Sequence, residues 1–534
     1  MHPRNLRTLQ HSIVIGVVAG LITLSTSVNL TATAAVMADS KGRQRADKAL
    51  RDGDYEGAEK MYRALLEKDA HDHPARLGLS QSLLKLRRLR DAYDHAARVI
   101  LAEPLSARAH ALLGAAVLAS GDFRNSVEEF RTALSLQENE AIAVAGLAMV
   151  DFYENRLDAS IRGLRRAVAL DSREPDYLFN LGQATARNEQ YKEAADSYER
   201  FLVIAPKTDE DRRARIRGLI DFLRYLGKQS SLYDVRGESR TELSFEGVES
   251  RPILKVRVNG GKEYLRFVLD TGSGMSVISD VTAKKLGLRP VARGGMARAV
   301  GGGGKFEIVY GFISSLDVGE VRVENVPVYI RHFFDDKVPV DGYLGLSVIS
   351  RFVASVDYGE NSFKLSRDGG GQKSKDDATA LSGEALEIPV RTTSSGFLSG
   401  EVQVEGVQQP LNFIIDTGAS ITVVSERLVE QEDLATYVEP TRMRVFGAAG
   451  VAEDVKRVML PRISIGSFVR EQVSAAVLDM EPLNETTGFT QSGILGGNFL
   501  KHFRVSFDFQ RGVLRLEPLA RTADNLEPAK GGRP

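Results

Sequence analysis

Apolar residues recur at helical spacing from Asp39 to about Lys207, and the pattern repeats every 34 residues over five units. Each unit has a column of aromatic or leucine residues, a column of small residues and a third, mostly bulkier column. Their members are Tyr55, Leu89, Phe123, Leu157 and Tyr191; Ala58, Ala92, Ser126, Ser160 and Ala194; and Tyr62, Ala96, Phe130, Leu164 and Tyr198. The spacing predicts two amphipathic helices in each unit, with the small residue allowing close approach.

A further amphipathic segment, residues 209–228, follows the last unit and predicts a helix that caps the array. A 34-residue period held over five units resembles the tetratricopeptide repeat. A generic bundle of amphipathic helices is the alternative, but such a bundle would not keep a fixed register. The resemblance implies an α-helical solenoid over residues 39–228, with a concave surface for peptides or a protein partner.

The pattern changes after a polar linker at residues 229–244. Short alternating segments broken by Gly and Asn then predict antiparallel strands over residues 245–365 and again over 384–519. A Gly-rich, charged linker at residues 366–383 separates these two β segments, and residues 520–534 are predicted to be a disordered tail. Because the first linker offers few apolar groups, the helical array and the β segments are predicted to be separable.

The N-terminal residues 1–38 have the order of a secretory signal. Arg4 and Arg7 precede an apolar run from Ile13 to Leu24, and small residues follow it. An uncleaved anchor is the alternative, although this run is shorter than the roughly 20 residues that a bilayer core needs. We expect cleavage after Ala34 or Ala38, and hence a bacterial periplasmic, cell-envelope or secreted protein.

Composition narrows the classes of function. The chain of 534 residues is 43% hydrophobic and 26% charged, with a net charge of −1 and no Cys. The absence of a basic excess argues against nucleic acid or an anionic membrane surface as a partner, so membrane contact is expected only through an uncleaved N-terminal segment. The absence of Cys excludes disulfides, thiolate zinc sites, a cysteine nucleophile and a lipoprotein anchor. We expect no metal and no cofactor.

The two β segments share one sequence device, in which an apolar run ends on Asp-Thr-Gly. It reads "FVLDTGSG" at residues 267–274 and "FIIDTGAS" at residues 413–420. A Gly-rich stretch follows in each segment, and an apolar-apolar-Gly stands further on, 75 residues after Asp270 and 80 residues after Asp416. The Gly-rich stretches contain Gly301, Gly302, Gly303 and Gly304 in the first segment, and Gly447 and Gly450 in the second; the later glycines are Gly345 and Gly496.

This arrangement resembles the aspartic proteases of the retropepsin and pepsin group. The resemblance implies two all-β barrel lobes related by a pseudo-two-fold axis, with Asp270 and Asp416 as the catalytic residues. Thr271 and Thr417 would then hydrogen-bond across the axis. The remaining residues of the implied catalytic loops are Gly272, Ser273, Gly418, Ala419, Gly345 and Gly496. Equivalent lobes paired between two chains are a second possibility, but tandem lobes favour pairing within the chain.

The chemistry explains why two apolar strands end on a carboxylate. Two carboxylates about 3 Å apart can share one proton, because like charges that close cannot both ionise. One of them then takes a proton from water while the other protonates the carbonyl oxygen. We therefore expect an exported aspartic-type endopeptidase whose repeats recruit a protein substrate or partner. The alternative is a non-catalytic, peptide-binding scaffold of the cell envelope, which would need neither carboxylate.

The Gly-rich stretches are expected to be flaps over the substrate. The stretch at residues 301–304 is not a phosphate loop, since Lys305 is followed by Phe306 rather than by Ser or Thr. The alternative for either stretch is a plain flexible hairpin. No tyrosine stands at the place of the pepsin flap tyrosine, which makes the lobes more similar to retropepsins.

The two catalytic loops differ at one position, Ser273 against Ala419. In pepsin-like members a hydroxyl at this place donates a hydrogen bond to the aspartate. A donor of this kind favours the charged form. The sequence therefore predicts that the shared proton rests mainly on Asp416.

Overall fold

The computed structural model describes residues 40–208, 210–302, 304–335, 337–367, 385–431 and 434–519. The segments that lie outside the described residues are the predicted signal at 1–38, most of the linker at 366–383, the tail at 520–534 and Gly303.

The N-terminal half of the described chain is a run of antiparallel helices. Their bounds are 40–52 (α1), Tyr55–Lys68 (α2), His73–Lys85 (α3), Leu89–Ala102 (α4), Ala107–Ser120 (α5), Phe123–Leu136 (α6), Ala141–Tyr153 (α7), Leu157–Leu170 (α8), Pro175–Arg187 (α9), Tyr191–Ile204 (α10) and Glu210–Leu226 (α11). The first ten form five helix pairs and α11 follows the last pair, which confirms the predicted solenoid. We call residues 40–228 the array. None of the described helices is long and apolar enough to span a bilayer.

The repeat columns explain the packing of the array. The small-residue column is fully buried in every unit, which lets the paired helices approach closely. Gly78 and Gly146 serve the same end from the facing helices, because a Cβ on either would stand within 2.3 Å of the ring of Tyr62 or Phe130, respectively. Helix starts are fixed by side-chain caps such as Asp54, which accepts from the amide of Gly57 at 2.9 Å.

The remaining described residues form two β-rich lobes. Lobe 1 (residues 234–366) contains the strands Asp234–Gly237 (β1), Arg240–Ser244 (β2), Glu246–Val248 (β3), Arg251–Val258 (β4), Leu265–Leu269 (β5), Val277–Ser279 (β6), Ala292–Arg298 (β7), Lys305–Val318 (β8), Val321–Arg331 (β9), Gly342–Leu344 (β10), Val353–Asp357 (β11) and Ser362–Ser366 (β12), and the short helices Asp280–Lys285 (α12) and Leu346–Ile349 (α13).

Lobe 2 (residues 386–518) repeats the order of lobe 1 from β3 onward, with one added helix. It contains the strands Leu386–Thr392 (β13), Leu398–Val404 (β14), Leu411–Ile415 (β15), Thr422–Ser425 (β16), Val438–Gly447 (β17), Gly450–Ile465 (β18), Phe468–Leu478 (β19), Gly493–Leu495 (β20), Phe503–Asp508 (β21) and Val513–Pro518 (β22), and the helices Glu426–Gln431 (α14), Glu481–Thr487 (α15) and Gly497–Leu500 (α16).

The same crossover occurs in both lobes. Strand β10 lies between β5 and β6, parallel to β5 and antiparallel to β6. Strand β20 lies in the same way between β15 and β16. The loop that leaves β5 or β15 must therefore pass over the end of the inserted strand, which places the residues after Leu269 and Ile415 at the surface between the lobes.

One sheet joins the lobes. Its strand order includes β13-β22-β21-β11-β12-β2, so strands of both lobes lie side by side. The junction is the antiparallel pair β11–β21, in which Asp357 is opposite Arg504 and their side chains form an ion pair at 2.7 Å. One apolar core runs through both lobes. The predicted two-lobed β unit is confirmed, and both of its lobes come from one chain.

The array and the lobes share a buried interface, contrary to the prediction that they are separable. Phe489 of lobe 2 is fully buried in the apolar cluster of the array, with its ring 4.9 Å from that of Phe123 and 5.0 Å from that of Tyr153. The prediction was wrong because it considered only the linker. The apolar groups that make the interface lie far from the linker in sequence.

The last helix of the array makes a second contact, with the β7–β8 hairpin of lobe 1. Phe222 on α11 stacks on Tyr310 of β8, with ring centroids 4.3 Å apart. Nearby, Tyr225 meets Phe312 edge to face at 5.5 Å. The array is therefore packed against both lobes, and one of its contacts is a hairpin that the sequence assigned to substrate binding.

Candidate active site

Asp270 and Asp416 stand at equivalent strand ends. Each directly follows a buried strand, β5 or β15, and its amide donates a hydrogen bond to the inserted strand: Asp270 to the carbonyl of Leu344 at 3.0 Å, and Asp416 to that of Leu495 at 3.1 Å. The strands thus hold the backbone of both aspartates, and the two carboxyl groups lie close enough to hydrogen-bond to each other.

Thr271 and Thr417 lock the two loops together. Both are fully buried. The hydroxyl of Thr271 donates to the carbonyl of Ile415 at 2.8 Å, and that of Thr417 donates to the carbonyl of Leu269 at 2.7 Å. Each hydroxyl also accepts from the amide of the other threonine, at 3.2 and 3.0 Å. These four reciprocal bonds fix the position of one aspartate relative to the other.

Gly272 and Gly418 are required because the carboxyl groups approach the opposite loop closely. A Cβ on Gly272 would stand 2.2 Å from Oδ2 of Asp416, and a Cβ on Gly418 would stand 2.7 Å from Oδ1 of Asp270. Their amides also serve the carboxylates of their own loops, with Gly272 donating to Asp270 at 2.9 Å and Gly418 donating to Asp416 at 2.7 Å.

The electrostatic environment gives the two carboxyl groups different proton affinities. Burial raises the pKa of Asp270 well above its ordinary value, and the negative charge of Asp416 raises it further. Burial also raises the pKa of Asp416, but the amides of Gly418 and Ala419 and a hydrogen bond from Asp270 oppose that rise. Asp416 thus has two main-chain donors and Asp270 has one, which favours the charged form of Asp416.

The hydrogen bond on which the predicted asymmetry rested, from Ser273 to Asp270, is not made in the structure. The Ser273 hydroxyl donates to the carbonyl of Met275 at 3.1 Å instead of to Asp270. In lobe 2, the amide of Ala419 supplies Asp416 with a second backbone donor at 3.1 Å. The difference between Ser273 and Ala419 predicts only which side chain can donate, whereas in the structure a main-chain amide makes the difference between the two aspartates.

Gly345 and Gly496 pack directly on the catalytic loops. A Cβ on Gly345 would stand 2.7 Å from the backbone carbon of Met275, and a Cβ on Gly496 would stand 2.5 Å from the carbonyl oxygen of Ile421. Their amides also bond to the loops, with Gly345 donating to the hydroxyl of Ser276 at 3.1 Å and Gly496 donating to that of Thr422 at 3.3 Å. These buried hydroxyls were not among the sequence-predicted residues, although each lies six residues after its aspartate.

The Gly-rich stretches lie at the tips of two hairpins that meet. We call the β7–β8 hairpin flap 1 and the β17–β18 hairpin flap 2. A Cβ on Gly302 would stand 2.6 Å from the backbone of Gly450, and a Cβ on Gly447 would stand 2.3 Å from the carbonyl oxygen of Gly301. Gly304 is similarly close to the carbonyl oxygen of Ala449, at 2.8 Å. Tip-to-tip contact of two flaps leaves no room for side chains at these glycines.

A cavity of about 1710 Å³ lies beneath the flaps. Asp270 and Asp416, which we call the dyad, form part of its lining, together with Phe306 of flap 1 and Phe446 of flap 2. Residues of α5, α7, α9, α10 and α11 also line it, so the array forms part of the wall. The sequence gives no sign that the array lines the cavity, because the 34-residue period identifies the helices but does not show which surface they face.

Arg187 ties the array to the catalytic loops. Its guanidinium lies 3.8 Å from the ring centre of Phe152 and donates to the carbonyls of Thr393 and Ser394. The carbonyl oxygen of the neighbouring Ser395 packs against Gly274, because a Cβ on Gly274 would stand 2.5 Å from that oxygen. Burial lowers the pKa of Arg187 to about 9. The array therefore contacts residues 393–395, and this segment in turn contacts the loop that follows Asp270.

Among the described residues, no group of three or more His, Asp and Glu side chains is placed to hold a metal ion. The site presents a half-buried pair of carboxyl groups that are close enough to share one proton, in a cleft covered by two flaps. Such a pair can remove a proton from one reactant and deliver a proton to another at the same time.

Comparison with known proteins assigns the parts of the chain separately. A family model described as aspartyl protease matches residues 254–348 and 400–499. Tetratricopeptide repeat models match residues 49–116 and 145–208. A comparison with curated proteins finds no match.

Two solved structures illustrate the likeness. One is a thermophilic tetratricopeptide repeat protein of Thermus thermophilus, with 19% sequence identity and a TM-score of 0.30, covering 34% of this chain and 98% of that chain. The other is the aspartic proteinase from Irpex lacteus, with 14% sequence identity and a TM-score of 0.35, covering 54% of this chain and 100% of that chain.

Proposed function

Because the chain joins tetratricopeptide repeats to two aspartyl protease lobes, we propose that it is an aspartic endopeptidase that cleaves protein substrates. The observation that carries the proposal is the Asp270–Asp416 pair. Its two carboxyl groups are half-buried, lie close enough to hydrogen-bond to each other and are held by the reciprocal threonine bonds. A protein that only bound peptides would gain nothing from holding two carboxyl groups this close together, since like charges at that distance repel each other.

The proposed reaction needs one proton on the pair. Asp416, as the carboxylate, takes a proton from a water molecule, and the water oxygen attacks the carbon of the scissile carbonyl. Asp270, as the acid, gives its proton to the carbonyl oxygen, so that a neutral tetrahedral diol forms. Collapse of the diol breaks the C–N bond: one carboxyl group protonates the leaving amine, the other receives a hydroxyl proton, and the pair again holds one proton.

The flaps and the array supply the binding part of the proposal. Closed flap tips keep bulk water from the reacting atoms. The array is a repeat of the kind that binds proteins, and its helices line the cavity that contains the dyad. We therefore place a protein substrate between the array and the lobes, with the array holding the part of the substrate that lies outside the cleft.

Export to a bacterial periplasm or cell envelope is part of the same proposal. Its support is the sequence of residues 1–38, which has the charged, apolar and small-residue order of a signal. A fusion of residues 1–38 to a reporter that is active only outside the cytoplasm tests it. An inactive reporter would contradict export.

The test of the activity is a digestion. Residues 39–519 are incubated with a library of peptides derived from a whole proteome, from acid to neutral pH, and the new termini are identified by mass spectrometry. Asp270→Asn and Asp416→Asn are run in parallel, with folding checked by circular dichroism. We expect cleavage by the parent protein and at least a thousandfold loss in each variant, because the reaction needs both carboxyl groups. Near-normal cleavage by either folded variant would contradict the proposal.

A further inference from the structure

Arg331 is a cleft residue that the proposed reaction does not use. It is the last residue of β9, where it lies opposite Ser279 of β6. Its side chain lines the same cavity as the dyad, and it is close enough to Asp270 to lower the pKa of that carboxyl. The sequence offered no signal for it, because a single arginine at the end of a strand is typical of a solvated position.

The surroundings of Arg331 are aromatic. Its guanidinium lies 5.7 Å from the ring centre of Phe306 and 5.9 Å from that of Phe333. Burial lowers its pKa, and the nearby Tyr343 and Asp270 partly oppose this. Its Nε is buried and has no hydrogen-bond partner. A cation in such a place is costly unless an anion pairs with it.

The other arginines of the described cavity wall have partners. Arg251 pairs with Asp335 at 3.2 Å and Arg298 with Glu485 at 3.1 Å. The same holds for the rest, which bind a carboxylate or a main-chain carbonyl: Arg87, Arg187, Arg212, Arg215 and Arg351. No carboxylate of the described residues lies within ion-pair distance of Arg331, although Asp270 is near enough to act on it electrostatically.

We propose that Arg331 binds a carboxylate of the substrate close to the scissile bond. A planar guanidinium takes a carboxylate through two parallel hydrogen bonds, and the aromatic rings around it exclude water and strengthen that pairing. The carboxylate comes either from an acidic side chain beside the cleaved bond or from the C-terminus of the peptide. Arg331 is thus a specificity residue of the proposed aspartic protease, and this inference rests on the proposed function for its cleavage readout.

The experiment compares matched peptides. The peptide cleaved best in the library is resynthesised with Glu, and with Gln, at each position next to the cut, and with a free or an amidated C-terminus. For one of the positions we expect kcat/KM to be at least about tenfold higher for Glu than for Gln, the effect of one charge-assisted hydrogen bond. A preference for the free over the amidated C-terminus would place the carboxylate there instead. Equal rates for all pairs would overturn the inference.

Variants assign the preference to Arg331. Arg331→Gln should bring the ratio between acid and amide close to one, and Arg331→Met, which keeps the aliphatic stem, should do the same if the Gln variant does not fold. Arg322→Gln is the matched control, because Arg322 lies on the same strand, is paired with Asp317 and does not line the cavity. An unchanged ratio in both Arg331 variants, or an equal change in the control, would overturn the inference. If Arg331 acted only on the dyad, both peptides would change rate by one factor, which would also overturn it.

A binding measurement separates this inference from the proposed activity. Immobilised Asp416→Asn protein is exposed to the same peptide library, and the retained peptides are identified. Enrichment of acidic or free-carboxyl peptides that disappears with the added Arg331→Gln change supports the role of Arg331, even if the parent protein cleaves nothing. No enrichment overturns it, whatever the outcome of the digestion.

Discussion

Gly218 on α11 lies directly against the backbone of Arg293 on flap 1: a Cβ on Gly218 would stand 2.0 Å from the carbonyl oxygen of Arg293. The glycine on the flap side of the contact is also close to the helix, because a Cβ on Gly295 of flap 1 would stand 3.1 Å from the Cβ of Ala214 on α11. Arg215 adds a hydrogen bond to the carbonyl of Met296 at 3.0 Å. The flap and the last helix of the array therefore share a backbone-to-backbone contact.

Gly218→Ala is expected to separate α11 from flap 1. Alanine raises helix propensity by about 1 kcal/mol. Overpacking against a backbone carbonyl, however, costs roughly 1–3 kcal/mol. We expect a net loss of stability in thermal unfolding, together with an altered KM for peptide substrates. Gly247→Ala is the control, since its Cβ would meet nothing nearer than 3.5 Å. An equal effect of both changes would contradict the contact.

Thr271→Val tests the lock between the catalytic loops. Valine keeps the shape of the side chain but removes the donor to Ile415 and the acceptor for the amide of Thr417. A buried amide and a buried carbonyl then lack partners, at about 1–3 kcal/mol each. We expect the free energy of unfolding, measured in urea, to fall by about 2–6 kcal/mol, and cleavage to fall with it. Thr271→Ser retains the hydroxyl and should lose much less. Equal losses in the Val and Ser variants would contradict the role of the hydroxyl group in this lock.

Asp270→Asn should stabilise the protein at neutral pH and not at acid pH. The pKa of Asp270 is raised in the folded state, so the folded protein binds this proton more tightly than the unfolded chain does. Stability therefore falls as pH rises from the unfolded pKa of about 3.9 toward the raised folded value. Asparagine is neutral at every pH and avoids that loss, which is about 1.4 kcal/mol for each unit of the pKa shift.

The measurement is the melting temperature of the parent and of Asp270→Asn between pH 3 and pH 8. We expect the difference to be small at pH 3 and to grow toward neutral pH. Asp280→Asn is the control, because Asp280 lies at the surface. A pH-independent difference would mean that Asp270 is not held in its protonated form.

Phe489→Ala tests the contact between lobe 2 and the array. Its ring is fully buried between Phe123 and Tyr153, so truncation leaves a cavity that costs about 3–5 kcal/mol. We expect the thermal transition to split or to shift downward, with faster proteolysis at the boundary of the array. Deletion of residues 39–228 should expose this apolar surface and give an aggregating protein. A soluble, monomeric deletion variant with full stability would contradict the buried interface.

The sequence predicted the elements better than their mutual arrangement. The 34-residue period identified the helix pairs because each unit buries the same columns, Ala58 and its equivalents among them. The paired Asp-Thr-Gly motifs likewise identified the two lobes, since each motif directly follows the strand beside which another strand is inserted, at Asp270 and at Asp416. Patterns of this kind predict structure well because the residues that form them are close together in the sequence.

Relationships between distant residues had no comparable signal. The position of Phe489 inside the array depends on a contact with Phe123 across more than half of the chain, and no pattern around either residue indicates it. The orientation of the Ser273 hydroxyl depends on a choice between two nearby acceptors, which only the folded loop decides. Arg331 became notable only because the structure shows which neighbours it lacks.

The packing of α11 on flap 1 has a thermodynamic consequence. The flap borders the proposed peptide cleft on one side and the array on the other, where Phe222 stacks on Tyr310. A ligand of the array that favours one position of α11 therefore changes the affinity of the cleft for peptide. Linkage requires the reverse effect to have the same size, so peptide in the cleft changes the affinity of the array for its own ligand by an equal factor.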